Sequence, residues 1–489
     1  MKPTRGAQVK LEDLMGAIGD PGRYQIGIYV LLCLNYMPVA FNHLGMVFFG
    51  AIPTHHCKIG ADRLALPLNE SIPIKVVKGH NVVDSCNMYV NGSSSVEACT
   101  DGWQYATYPG NPPESTIATE WDLVCDDKYK TPLATTLYFI GVMIGAVVYG
   151  ALGDWIGRKK TLLFCLAKYF IFGIGLHFVK NYVQFTVVRV FIGTAMQGIQ
   201  TSSYVLFAEM FLPKYRTYVG TLYEPFWAVG VMWLALIAWL LKDWRWIQLA
   251  LVLPTVLTIS YYWIIPESLR WLLLKNRHEQ AQSQIRTACK FNKIPYPDID
   301  TRNVVLPGIQ TQESKTYTPF DLVRTPVIRR NALISFYVWF SVSCVYYGLS
   351  LSTSSWKGNK YLIFGLSGLG ELPAYLLAVY ILHRFGRKWP LCVYLTVAGV
   401  GCILSVTLPI TTRATYVKAS AMLTSRCCLE MGDAENYRFP ALVKAAKNML
   451  MVHGISIPKR KRSDVDRSVG HWGDADPERK DSGIRKHAL

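Results

Sequence analysis

Charge is what this sequence has least of. Asp, Glu, Lys and Arg together make 17% of the 489 residues, against about a quarter in ordinary soluble domains. The stretch from Thr131 to Leu152 contains none of them. A chain this long could form about three soluble domains, but 51% hydrophobic residues are compatible with that only if charge and apolar surface are mixed, and here they are segregated. About 20 uncharged residues in a helix match the hydrocarbon thickness of a bilayer, so the chain reads as an integral membrane protein. Acidic residues are the scarcer sign, giving a formal charge of +18. The basic excess lies in loops beside apolar spans, where Lys and Arg mark the cytoplasmic side, so it reports topology and no nucleic-acid partner is expected. The sequence also lacks an apolar signal-peptide core before Tyr24, a glycine-lysine phosphate loop, a metal-ligand cluster and a nucleophile–base set. These absences argue against a cleaved leader, an ATP-driven pump and a membrane enzyme; no cofactor or metal is expected.

Apolar stretches of spanning length fall near residues 24–50, 133–153, 161–179, 185–207, 217–241, 245–265, 332–351, 360–382 and 389–410. The fold class expected is all-α and polytopic: a six-helix N-terminal bundle over 24–265 with an extracellular loop at 51–132, and a partial C-terminal bundle over 332–410. Residues 1–23 form a cytoplasmic N-terminus, 266–331 a cytoplasmic loop, and 411–489 a polar, poorly ordered tail. The charges agree with this orientation. Residues 266–330 carry 11 Lys and Arg against 6 Asp and Glu, whereas 51–132 carry 6 against 10. The short loops at Arg158-Lys159-Lys160, Lys214 to Arg216 and Arg384 to Lys388 are basic and fall inside, where such bias is most informative.

The long loop holds Cys57, Cys86, Cys99 and Cys125, an extracellular disulfide set with three pairings open. Asn69-Glu-Ser71 and Asn91-Gly-Ser93 in the same loop are N-glycosylation acceptors if the loop is lumenal.

After the second stretch comes Gly150, three residues, Asp154, two residues, Gly157, Arg158 and Lys159. The glycines are expected to give a tight reversal, Asp154 to cap or pair at a helix end, and the basic pair to stay on the cytoplasmic face. Any short basic turn with Asp154 as a simple cap would also satisfy the pattern. The corner recurs six stretches later as His383-Arg384-Phe385-Gly386-Arg387-Lys388. Two six-span halves related in parallel resemble the major facilitator arrangement, whose substrate site lies between the halves and whose first turn acts as a gate.

Further residues narrow the resemblance: Thr119-Glu120-Trp121-Asp122-Leu123-Val124-Cys125, Tyr204, Glu209 with Arg216 and Gly220, and Pro266-Glu267-Ser268-Leu269-Arg270-Trp271-Leu272. Over residues 11–423 the chain resembles the organic cation/anion/zwitterion transporter family of the major facilitator superfamily, closest to organic cation transporter-like proteins. The resemblance implies alternating-access transport of a small organic ion, with or without a coupling ion, in the plasma membrane. It also implies gate roles for Glu209, Arg216, Glu267 and Arg270. An organic anion carrier is a rival within the same class.

Intramembrane carboxylates mark substrate paths, since placing one at a helix centre costs about 2.5–3.5 kcal/mol. Glu371 lies mid-span, and Glu224 about 12 Å into the fifth span by helical rise. Each is a candidate for attracting a cation, against a plain interhelical hydrogen bond. Tyr204, Trp339, Tyr346 and Tyr361 match aromatic cavity positions of the family; most aromatics in spans instead face lipid or neighbouring helices. Gln200 stands one turn before Tyr204, where cation-transporting relatives carry Trp. Arg189, with Gly193 and Gln197-Gly198, fits the family's fourth-helix pattern, where the resemblance implies a buried Arg that is structural or coupled to protonation; an interfacial, snorkelling side chain is the simpler account. The resemblance weakens after about residue 425, where the composition turns polar around Lys459 to Arg462. The rival reading from another class is therefore a truncated, non-transporting form or a gene-model artefact. His383 also stands where the family has an acidic residue.

Overall fold

The computed structural model describes residues 9–59, 72–77, 80–89, 95–99, 101–105, 114–297, 300–305, 326–352 and 358–385, with positions 393, 396, 399 and 400. Asn69, Asn91, Gly386, Arg387, most of the ninth apolar stretch and the polar tail lie outside the described residues.

The protein is built of helices. A short helix α1 (Leu11–Ala17) precedes the first membrane segment, which is divided into α2 (Arg23–Leu34), α3 (Tyr36–Leu44) and α4 (Met46–Phe49). Then follow α5 (Lys130–Ile156), α6 (Arg158–Gly175), α7 (Tyr182–Met210), α8 (Arg216–Thr221), α9 (Pro225–Leu241), α10 (Trp244–Val252), α11 (Leu269–Leu274), α12 (His278–Asn292), α13 (Pro326–Ser352) and α14 (Lys360–Phe385). Among the described residues six helical segments are long and apolar enough to cross a bilayer: Arg23–Phe49, Cys125–Ile156, Arg158–Phe178, Arg216–Leu241, Trp244–Ile264 and Lys360–Ile381. At about 1.5 Å per residue α7 is also long enough. It is less apolar because it is the inner helix, with Arg189, Thr194, Thr201, Ser202, Ser203 and Glu209 all buried.

Three stretches read as continuous spans are interrupted, and proline accounts for two of the breaks. Pro225 has no N–H to give and opens α9 at its first position, so the fifth span divides between Thr221 and Pro225. Pro254 lies near the start of a 3₁₀ stretch, Leu253–Ser260, in the sixth. In the first span the helix is interrupted at Asn35 and Gly45. Around α5 and α7 the backbone packs closely. A Cβ placed at Gly141 would stand 2.3 Å from the Val190 carbonyl oxygen, and one at Gly145 2.5 Å from that of Thr194. Small residues let membrane helices approach so closely, where dispersion and not water exclusion holds them. The opposite face of α5, with Met143, Val147 and Val148, is exposed and suits lipid.

The two segments expected on the cytoplasmic side, the N-terminus and the stretch after the sixth span, are more structured than loops. Leu11, Leu14, Met15 and Ile18 pack on Trp271, Leu272, Ile285 and Ala288, and the strand β1 (Val9–Lys10) pairs in parallel with a strand at Val304–Val305. On the other side, the long loop forms three two-stranded antiparallel pairs. Cys57 is bonded to Cys99 and Cys86 to Cys125. Glu120 fastens this loop to the bundle, accepting from Trp244 Nε1 at 2.8 Å and pairing with Arg245. Trp121 packs edge-on against Phe185 and Trp244.

Candidate functional site

Two sets of residues converge, one inside the membrane and one at the cytoplasmic face. The inner set forms where α3, α7, α9, α13 and α14 meet. Because the helix restarts at Pro225, Glu224 occupies the break and is not surrounded by continuous helix. It is 5% exposed and accepts from the Tyr36 hydroxyl at 3.3 Å. Gln200 Nε2 reaches the same hydroxyl at 3.5 Å, the limit of a hydrogen bond. Tyr36 stacks on Tyr223 with ring centroids 4.0 Å apart and lies against Trp227 at 5.2 Å. Tyr204 meets Tyr223 edge-on at 6.2 Å. Trp227 Nε1 donates to the Tyr346 hydroxyl at 2.6 Å, joining the first six spans to α13.

Glu371 is fully buried on α14. Helix α14 runs antiparallel to α9: Gly365 abuts Ala235, and Gly368 abuts Val231 and Met232. Continuing that register brings Glu371 level with Trp227 and Ala228, about one turn, roughly 5 Å, from the depth of Glu224. Two buried carboxylates thus lie within about one helical turn of each other in depth, Glu224 beside the aromatic residues and Glu371 on the helix packed against α9. Two sequence candidates stand apart from them. Tyr361 lies ten residues before Glu371, about 15 Å along the helix, where its hydroxyl donates to Glu114 Oε1 at 2.9 Å and Lys360 pairs with the same carboxylate. Trp339 is 37% exposed on α13. Sequence reasoning missed Tyr36, His43, Tyr223, Trp227 and Tyr347. His43 Nδ1 lies 3.1 Å from the Tyr138 hydroxyl, and its ring faces Trp227 and Tyr347. A polar pair, Asn42-His43, on an otherwise apolar span was the signal available. Arg189 does not snorkel: it is 0% exposed, held by the Asn42 carbonyl at 3.0 Å.

At the cytoplasmic face the first turn is shorter than its ten-residue pattern suggested. Helix α5 runs through Gly150 to Ile156, and the reversal falls on Gly157 alone, at φ +112°. Arg158 turns inward, 6% exposed, and does not stay on the surface with Lys159. Its guanidinium pairs with Asp154 at 2.6 Å and Glu209 at 3.3 Å. Glu267 supplies what the start of α6 lacks: one carboxylate oxygen accepts from the backbone N–H groups of Arg158 at 2.9 Å and Lys159 at 3.1 Å. A carboxylate at a helix N-terminus satisfies orphan donors and opposes the positive end of the dipole. Burial pushes the Glu267 carboxyl up, partly opposed by the N–H groups of Ser268, Lys159 and Arg158. Ser268 bonds Glu209, and Trp271 Nε1 donates to the Asp154 carbonyl at 3.0 Å. Arg216 donates to the Phe211 carbonyl at 3.2 Å, with Arg270 nearby.

Gly157 has a conformation that L side chains avoid, and a Cβ there would lie 2.2 Å from Glu267 Oε2. Gly157→Ala is therefore expected to destabilise the protein by about 2–3 kcal/mol. Gly153→Ala is the control, its nearest neighbour standing 3.9 Å away. Equal thermal midpoints for the two variants would contradict this account of the turn.

Residues 81–428 match the family described as sugar (and other) transporter. The organic cation transporter protein of Drosophila melanogaster is 33% identical over 416 residues, 81% of this chain and 75% of its own length. The human organic cation/carnitine transporter 2 is 32% identical, over 79% and 73% respectively. The chain belongs to the organic cation/anion/zwitterion transporter family of the major facilitator superfamily. Among solved structures, the partially occluded, inward-open xylose transporter XylE from E. coli matches with a TM-score of 0.51 at 16% identity, covering 88% of this chain and 94% of that one; this likeness concerns the fold. As a member of the facilitator superfamily the chain is a multi-pass membrane transporter. The inner aromatic and carboxylate set lies where its first six spans meet α13 and α14.

Proposed function

We propose that the protein carries small organic cations or zwitterions across the plasma membrane by alternating access, with Glu371 and Glu224 attracting the cationic group. The observation that supports this reading is two buried carboxylates within about one helical turn of each other in depth, with Glu224 bonded to Tyr36 among Tyr223, Trp227 and Tyr346. A cation over a Tyr or Trp face gains about 0.5–2 kcal/mol, more when desolvated, and a carboxylate adds a charge that a neutral or anionic solute could not use. The two terms favour the same sign of ligand. The gate residues at Arg158, Glu209 and Glu267 would hold the cytoplasmic ends of α5, α6 and α7 as one body while the halves move.

Competition in cells expressing the protein tests the charge preference. Uptake of a labelled quaternary ammonium compound is expected, with unlabelled quaternary ammonium competing at least about tenfold more strongly than an aromatic carboxylate of the same size, a difference of ~1.4 kcal/mol. Stronger inhibition by the carboxylate would turn the assignment to an organic anion carrier.

A further inference from the structure

The N-terminal bundle holds two cations at membrane depth that the carboxylate site does not use. Arg189 lies seven residues into α7, about 10 Å from its outer end, and is fully buried. One nitrogen, Nη2, donates to the Asn42 carbonyl at 3.0 Å. The guanidinium plane covers the Tyr138 ring, with Cζ 4.3 Å from its centroid. Nε and Nη1 are buried with no acceptor. Among the described residues no carboxylate lies within ion-pair distance of it. Lys168 is the second cation, donating to the hydroxyls of Tyr149 at 2.9 Å and Thr194 at 2.5 Å, both neutral acceptors. Thr194 follows Arg189 by five residues, about 7.5 Å along α7. The acidic residues of α5 and α7, Asp154 and Glu209, sit at the cytoplasmic ends. Among the described residues the charge of the fully buried Arg189 therefore has no carboxylate partner, a costly arrangement in a low-dielectric interior.

Tyr169 adds a third donor. Its fully buried hydroxyl accepts from Asn42 Nδ2 at 3.1 Å, which leaves its own O–H proton to give, and the same Asn42 bonds Arg189 through its carbonyl. Two guanidinium N–H groups and a phenol O–H in one buried polar cluster suit an anion. A water could accept from Arg189 and donate to the orphan Asn42 Oδ1, yet it would leave the charge unopposed. Tight packing and a single uncompensated guanidinium select for small size and one negative charge.

We propose that Arg189, with the Tyr169 hydroxyl, holds a small monovalent inorganic anion of the chloride class as a resident counter-ion of the N-terminal bundle. This assignment does not depend on which solute the protein carries. The test uses the full chain purified in detergent, with its thermal midpoint followed as chloride replaces isethionate at constant ionic strength. Chloride is expected to stabilise along a saturating ligand curve, and bromide to substitute for it. Tyr169→Phe should raise the chloride concentration for half the effect severalfold, and Arg189→Gln should give one midpoint in both salts. Identical midpoints in chloride and isethionate for the unaltered protein would overturn the proposal and leave water as the occupant. A chloride effect unchanged by Tyr169→Phe and Arg189→Gln would place it elsewhere on the protein. Should Arg189→Gln fail to fold, the shift or its absence in Tyr169→Phe decides.

Discussion

Uptake of a quaternary ammonium cation is expected to fall at least about tenfold when Glu371 is replaced by Gln at unchanged surface expression, ~1.4 kcal/mol of lost interaction. Glu371 is fully buried, so its charge acts with little screening. A unit pair at 4 Å is worth about 4 kcal/mol at an effective dielectric of 20, and desolvation of both partners cancels a large part of it. The substitution is nearly isosteric, so the packing of α14 on α9 is retained while the charge is lost. Glu371→Asp separates the charge role from a structural one. An attracting charge predicts that Asp retains more uptake than Gln, because it stays anionic at the cost of one methylene. An interhelical hydrogen bond predicts the reverse order, since Gln keeps the reach. Glu224→Gln is expected to cost less, about threefold, because the Tyr36 hydroxyl at 3.3 Å can bond an amide as readily. Unchanged uptake in Glu371→Gln would remove that residue from the site.

The fold was legible in the sequence because a bilayer imposes a coarse rule, long uncharged helices, that composition alone reveals. α5 and α6 fall where apolar stretches put them. What could not be read were the breaks and the inward turns. A hydropathy pattern does not show that Pro225 restarts a helix and places Glu224 at the junction, or that Gly157 by itself makes the reversal. The snorkelling account of Arg189 failed, and the inward partners of Arg158 could not be foreseen, for the same reason. An Arg in or near a span is by default assigned to water or the interface, and only three-dimensional neighbours reveal that Asp154 and Glu209 draw the first inward and Tyr138 covers the second. The inner aromatic wall was half visible. Tyr204 and Tyr346 could be matched by family position, whereas Tyr36, Tyr223 and Trp227 are three aromatics among the 13% of the chain that are Phe, Trp or Tyr. Nothing in their spacing distinguishes them from residues facing lipid. Tyr361 illustrates the converse: it shares a helix with Glu371, yet the extracellular loop's Glu114 holds it at the outer rim.

The cytoplasmic network should be the most sensitive part of the protein to a charge deletion. Arg158→Ala is expected to destabilise the folded protein by about 3–5 kcal/mol, since removing one member of a buried ion pair leaves the other charge unopposed. The charge left is Glu209, whose side chain is 5% exposed beside an Arg158 side chain of 7%. Asp154, with 43% of its side chain exposed, can turn to water and adds little. The N–H groups that Glu267 caps belong to the backbone and survive the substitution. The loss should thus be specific to the guanidinium. Arg158→Lys then gives an intermediate result: it restores charge but cannot reproduce a fork that bonds Asp154, Glu209 and the Gly153 carbonyl together. Glu209→Gln in the Arg158→Ala background should recover part of the stability, because it removes the stranded charge while keeping an acceptor for Ser268. Thermal midpoints of the unaltered protein, Arg158→Ala, Glu209→Gln and the double variant measure the coupling directly. Additive losses, with no recovery in the double variant, would mean that the buried pair does not hold the ends of α6 and α7 together.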